Sequence, residues 1–356
     1  MKKIWFEEQI KKFSVIGGYQ KPEFLTSAVK LDSNENYVFS KQFQNEIISS
    51  AKKNSDVRAY PLGGVERLTD KISKFLKIPS SMIGVGNGSD QILDLILSNF
   101  ASKQTKVLTS DPTFGFFEER CKLYSIPLIA IPFSNKMKLN VEDFLKQSKS
   151  ANILYLDSPN NPTGFQFSKP ELHKLVSSFD GMVIIDEAYG EFGAFSLANM
   201  TKTYENLIVV KTLSKSFGLA GIRLGYFIAN KKFTDVFMKI LQYPYPLSTI
   251  TIESGIMALE KSNFMKDAVY NIKLERKRII DALRKYDAFE VFDSKANFVL
   301  FDAKGSYKRI YSALAEQGIM IRKLGKIGSH NGCLRVTVGT KDMNSKFLLA
   351  IRDLLR

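Results

Sequence analysis

The sequence predicts an α/β protein, with a large domain on a mainly parallel, doubly wound sheet and a smaller α+β domain. Short apolar runs at 153–156, 182–185 and 207–210 each lead into polar residues, the pattern of strands buried on both faces of a parallel sheet. Between the first two runs, Ser168 stands three residues before Glu171, a capping box that starts a helix over 168–180 of the kind that connects parallel strands. The chain's 356 residues are long for one domain and suit a large one plus a smaller one. The expected division is an N-terminal arm and part of the small domain over 1–50, the large domain over 51–250, and an interdomain helix with the C-terminal small domain over 251–356.

Composition narrows the function. Hydrophobic residues at 44% and charged residues at 24% describe an ordinary globular protein, and no run of 18 apolar residues offers a membrane span. The first twelve residues carry two acidic residues, Glu7 and Glu8, and do not read as a signal peptide, so a cytoplasmic location is expected. A net charge of +15 raises the possibility of a basic nucleic-acid-binding protein. Its basic residues are interspersed with acidic ones, however, and no nucleic-acid-binding motif is present, so neither nucleic acid nor membrane is expected as a partner. Cys121 and Cys333 are far apart in sequence and suggest neither a disulfide framework nor a zinc site, and no metal is expected. His173 and His330 read as structural or exposed residues.

In chain order, the first sixty residues are weakly periodic and read as a winding arm. A turn at Tyr60-Pro61 and Gly63-Gly64 leads into a helix over 65–76. Glycines 84, 86 and 88 then precede an apolar helix up to residue 100, which puts Gly88, Ser89 and Asp90 at a helix N-terminus suited to an anion. Ser89 stands where a dinucleotide fingerprint needs its third glycine, so a monophosphate cup fits better. A strand over 106–109 leads to Phe114, and the strand over 153–156 leads to a turn-rich SPNNPTG that carries Asn161. Asp186 follows the next strand, and Lys215 follows the strand over 207–210, with Arg223 just beyond. A strand over 225–229, a helical stretch over 252–286 and a small domain follow. In that domain strands at 289–292, 297–301, 319–322 and 333–338 alternate with helices at 307–317 and 343–355.

Three strand ends thus bring Lys215, Asp186 and Asn161 to one edge, where open α/β sheets keep their ligands. Alone, Lys215 would read as a solvated loop lysine. Together the three supply what pyridoxal phosphate needs: an amine for its aldehyde, an acid for its pyridine nitrogen and a donor to its ring oxygen.

The order SPNNPTG, DEAY, TLSKSFGLAGIRLG resembles the class I/II aminotransferases of fold type I, and within them the histidinol-phosphate aminotransferase branch, from about residue 30 to the last helix. The resemblance implies a pyridoxal-phosphate-dependent transferase in which Lys215 holds the cofactor and acts as base. It implies further that Asp186 faces the pyridine nitrogen, that Asn161 and Tyr189 reach the ring oxygen and Phe114 the ring face, and that Gly88, Ser89, Asp90, Thr212 or Ser214, and Arg223 surround the phosphate. Tyr60 would reach a partner's cofactor phosphate in a homodimer, although it reads equally as a buried aromatic. Phe114 reads alternatively as a core residue.

Tyr19, in Gly17-Gly18-Tyr19, and Asn34, in KLDSNEN, resemble substrate-pocket residues, and Arg322 and Arg335 resemble arginines that hold the substrate's anionic group. Arg335 lies between Leu334 and Val336, where burying a guanidinium without an anion is costly. The implied reaction is transamination of L-histidinol phosphate with 2-oxoglutarate to imidazole acetol phosphate and L-glutamate, in L-histidine biosynthesis. An aromatic amino-acid aminotransferase and a phosphothreonine-type decarboxylase share the same motifs.

Overall fold

The computed structural model of the chain describes residues 2–16 and 28–355. Its first strand, β1 (Val29–Leu31), belongs to a sheet completed only at the far end of the chain. The next seven are β2 (Ile83–Asn87), β3 (Val107–Asp111), β4 (Leu128–Pro132), β5 (Ile153–Asp157), β6 (Met182–Asp186), β7 (Leu207–Thr212) and β8 (Leu224–Ile228). They form one sheet in the order β2-β8-β7-β6-β5-β3-β4. β4, β3, β5, β6 and β7 run parallel, while β8 is antiparallel to β7 and to β2.

Alternation within the strands explains why this sheet is covered on both faces. Leu154, Leu156, Val183, Ile185, Leu207 and Val209 enter one hydrophobic core, and their neighbours Ile153, Tyr155, Ile184, Ile208 and Val210 enter a second. The crossover helix Lys169–Ser178 starts as the sequence predicts: Ser168 and Glu171 cap each other's backbone N–H groups. Strand order reverses between β3 and β5, so the crevice beyond their carboxyl ends is the expected ligand position.

The second sheet adds β9 (Glu290–Val291), β10 (Phe298–Asp302), β11 (Ile319–Ile327) and β12 (His330–Thr337), in the order β1-β11-β12-β10-β9. β1 pairs in parallel with β11, which ties residues 29–31 to the C-terminal third of the chain. Arg322 and Arg335 sit opposite each other in the β11–β12 ladder.

Three local expectations are corrected. The arm contains two helices, Lys2–Ser14 and Lys41–Asn54; the second is capped by Ser40 Oγ and buries Phe43, Ile47 and Ala51 along one face. The helix expected over 252–286 is two helices, Thr249–Glu260 and Ser262–Leu283, with the Lys261 backbone at φ -95° and ψ 28° between them and its ammonium paired with Glu46. Arg322 does not end its strand: hairpin pairing with β12, through shifts in register around Gly325, carries β11 on to Ile327. Among the described residues no helix is long and apolar enough to cross a membrane.

Candidate active site

A cavity of about 310 Å³ opens at the carboxyl ends of β5, β6 and β7, within the usual range of roughly 300–1,000 Å³ for small-molecule sites. It brings together Asn34, Ser89, Asp90, Phe114, Asn161, Asp186, Tyr189, Thr212, Ser214, Lys215, Arg223, Arg322 and Arg335. Tyr60 is not among its lining residues. It is 71% exposed and stacks on Tyr245 at 4.3 Å, so it is not the buried aromatic that was its alternative reading. Tyr19 and its two glycines lie outside the described residues.

Asp186 ends β6 and is buried. Its carboxylate accepts from Tyr155 Oη at 3.1 Å and from the Ala188 N–H at 2.9 Å, yet burial pushes the group up to about 6. A cation held against it would return it to the ionised form. Lys215 lies three residues past β7, and its Nζ donates to the Ser33 carbonyl at 3.2 Å. The amine is thereby held on the cavity wall, 5.9 Å from the centre of the Tyr189 ring. Burial pushes the Tyr189 phenol up to about 12, and its oxygen accepts from Asn34 Nδ2 at 2.9 Å.

One end of the cavity is built for an anion. Gly88 adopts φ +75°, and its N–H donates to the Arg223 carbonyl at 2.9 Å. That engagement corrects one expectation: Gly88 shapes the cup, while Ser89 and Asp90 line it at the N-terminus of the helix Gly88–Phe100. Gly225 of β8 packs against this turn so closely that a Cβ on it would fall 2.3 Å from the Gly88 carbonyl carbon. Arg223 Nη2 donates to Asp90 Oδ2 at 3.0 Å, and Thr212 Oγ1 donates to Ser214 Oγ at 3.0 Å. Guanidinium, hydroxyls and a helix start suit a phosphate monoester.

At the other end, Arg335 is 7% exposed and divides its fork between the Asn161 side-chain oxygen and, at 2.9 Å, the Asp32 carbonyl. Phe114 is half-buried: it lines the site beside Phe116, with ring centroids 5.9 Å apart, and also packs against the second core.

Asp32, Ser33 and Glu35 also line the cavity; they fall within KLDSNEN, the stretch that resembles part of a substrate pocket, though only Asn34 was singled out there, while Phe116, Asp157, Ala188 and Ala220 were not expected. Asp157 carried a usable signal, since it ends an apolar strand as Asp186 does. It is buried, accepts from Thr113 Oγ1 at 3.2 Å, Asn160 Nδ2 at 2.8 Å and the Asn161 N–H at 2.6 Å, and burial pushes it up to about 7. Lys211, behind the site, is also buried; it contacts Glu187 and Glu191, each at 2.9 Å. Burial opposes its charge, but the two carboxylates outweigh burial and hold the ammonium well above the ordinary lysine range.

A cavity of this kind, at the switch point of a doubly wound sheet and with an amine, a buried acid and an anion cup, defines a pyridoxal-phosphate site. The chain belongs to the aminotransferase class I and II family, whose model matches residues 26–351, and it is accordingly a pyridoxal-phosphate-dependent aminotransferase. It is 35% identical over 326 residues to a histidinol-phosphate aminotransferase of Pyrococcus furiosus, an alignment covering 91% of this chain and 92% of the relative. A second relative of that name, from Thermoanaerobacter sp. (strain X514), is 32% identical over 333 residues, covering 92% and 93% of the two chains. The crystal structure of the histidinol-phosphate aminotransferase from Clostridium acetobutylicum superposes with a TM-score of 0.83 at 27% identity, over 91% of this chain and 98% of that one.

Proposed function

We propose that this aminotransferase interconverts L-histidinol phosphate and imidazole acetol phosphate, with 2-oxoglutarate and L-glutamate as the second pair, in L-histidine biosynthesis. The observation that carries the reading is the pairing of Arg322 opposite Arg335 on two strands, with both lining the cavity that holds Lys215. One substrate presents a phosphate and the other carboxylates, and guanidinium forks bind both. The names of the relatives support the same substrates.

Pyridoxal phosphate, when bound, supplies a carbonyl that carries the amino group and a ring that accepts electron density. The residues of this chain hold and orient it. Ser89, Asp90, Thr212, Ser214 and Arg223 would take its phosphate, Asp186 its ring nitrogen, Asn161 and Tyr189 its ring oxygen, and Phe114 one ring face. Lys215 Nζ would hold its carbonyl carbon and, once released by substrate, take the proton from the substrate carbon that bears nitrogen. Arg322 and Arg335 would fix the substrate's anionic end, so that this carbon stays within reach of Lys215.

A homodimer is part of this proposal. Tyr60, Leu62, Tyr243 and Tyr245 leave apolar surface exposed, which a second copy would cover while Tyr60 reaches that copy's phosphate cup. So is a cytoplasmic location, which the two buried free cysteines support.

The test is the visible absorption of the pyridoxal-phosphate-loaded protein before and after adding histidinol phosphate, phenylalanine or phosphothreonine. Rapid loss of the visible band with histidinol phosphate alone is the expected result. Loss with phenylalanine alone would move the enzyme to aromatic amino acids, and carbon dioxide release from phosphothreonine would make it a decarboxylase. No visible band on loading would sink the role given to Lys215.

A further inference from the structure

We propose that Glu35 is a specificity residue that accepts a hydrogen bond from the imidazole N–H of the substrate; the inference rests on the histidinol-phosphate reading above. Five carboxylates line the cavity: Asp32, Glu35, Asp90, Asp157 and Asp186. Four of them are committed or closed off. Asp186 accepts from Tyr155 and Ala188, Asp157 from Thr113, Asn160 and Asn161, and Asp90 pairs with Arg223. Asp32 is 4% exposed, and its Oδ1 is buried.

Glu35 is outside the phosphate cup to which Asp90 belongs, and its two oxygens are used differently from each other. The Tyr37 hydroxyl donates to its Oε2 at 2.5 Å, and Lys30 Nζ contacts the same oxygen at 3.2 Å. Oε1 takes no hydrogen bond among the described residues, and the side chain is 31% exposed, within reach of a ligand. The carboxylate is thus oriented through one oxygen while the other stays available. Its mount is rigid as well. Asn34 adopts φ +55°, its N–H donates to Thr337 Oγ1 at 2.9 Å, and its carbonyl accepts from Asn297 Nδ2 at 3.0 Å.

Chemistry selects the ligand group. The amine of the substrate goes to the cofactor carbonyl that Lys215 would hold, and its phosphate is drawn to the arginines and repelled by a carboxylate. The remaining polar group of histidinol phosphate is the imidazole, whose N–H is a donor for Oε1. Phenylalanine and phosphothreonine present no donor there, and the distal carboxylates of glutamate and 2-oxoglutarate would be repelled. Glu35 therefore favours one half-reaction over the other, as a general substrate anchor would not.

The experiment compares kcat/KM for histidinol phosphate and for glutamate in single-turnover half-reactions of the loaded wild-type enzyme, Glu35→Ala and Glu35→Gln. Loss of a hydrogen bond to a charged group should lower the ratio of the two values about ten- to hundredfold in Glu35→Ala. Glu35→Gln keeps an acceptor oxygen without the charge and should lower it by a smaller factor. An unchanged ratio in both variants, whatever the absolute rates, overturns the inference. A wild-type enzyme that glutamate converts but histidinol phosphate does not would instead overturn the substrate reading on which the inference stands.

Discussion

Asp157 and Asp186 end neighbouring parallel strands at the same register position, so two buried carboxyls meet at one cavity floor. Burial pushes them up to about 7 and about 6 respectively. Both values lie above the ordinary aspartate range of about 4, so the folded chain binds protons that the unfolded chain has released. Their contribution to stability is therefore complete below about pH 4 and is lost as pH rises through about 7. The cofactor-free protein should melt at progressively lower temperature across that window, and Asp157→Asn should flatten the dependence. Thermal denaturation followed by circular dichroism at a series of pH values checks this; an equal slope in wild type and variant would contradict it. Loading with pyridoxal phosphate should also flatten it, because a cation beside Asp186 favours the charged form.

The Lys211 cluster makes a separate prediction. Buried Glu187 accepts from buried Lys211, from the Leu197 N–H at 2.6 Å and, at the exposed edge of the cluster, from Ser196 Oγ at 2.5 Å. Lys211→Met fills the space but leaves two acidic side chains in low dielectric without their cation. Breaking a buried pair in this way costs about 3–5 kcal/mol, so the urea midpoint should fall well below that of wild type. A change of under about 1 kcal/mol, the range of exposed pairs, would show that water reaches the cluster.

How far these features can be read from sequence depends on whether their partners are near in the chain. Asp186 and Lys215 were legible because each follows an apolar run whose period already gives a buried strand end. Asp157 follows such a run too, directly before the turn-rich segment, and carries the same signal. Lys211 and Arg335 are different. A charge in an apolar strand signals burial, but Glu191 reaches Lys211 by a short helical turn, and the contacts of Arg335 with Asp32 and Asn161 span 303 and 174 residues. Glu35 sits in an irregular segment with no period at all, and its role follows from which of its oxygens is occupied. The split of the 252–286 helix was equally hidden, since Lys261, where it falls, is a good helix former.

Arg335 gives a test of fork geometry. Lysine keeps the charge but offers a single nitrogen in place of two parallel donors. Arg335→Lys should lower kcat/KM for both amino substrates by about tenfold or more, mostly through KM, because the same group would hold both anionic ends. Steady-state kinetics with each substrate separates this from a general loss of activity. A fall confined to kcat would mean that Arg335 acts on the reacting carbon and not on the anion.

The closeness of Gly225 to Gly88 makes the phosphate cup depend on a missing side chain. A Cβ at Gly225 would lie 2.3 Å from the Gly88 carbonyl carbon and 2.4 Å from the Ser89 nitrogen, both backbone atoms that no rotamer change can move away. Gly225→Ala must therefore push β8 and the start of the helix Gly88–Phe100 apart, displacing the N–H groups and the Arg223 carbonyl that shape the cup. Gly221→Ala is the control, since its Cβ would meet nothing within 4 Å. Pyridoxal phosphate affinity, measured by fluorescence titration, should fall at least about tenfold in Gly225→Ala, the effect of about 1.4 kcal/mol in lost phosphate contacts, and stay near wild type in Gly221→Ala. If Gly225→Ala binds as tightly as wild type, the phosphate is held by side chains alone, and the helix N-terminus plays no part in cofactor binding.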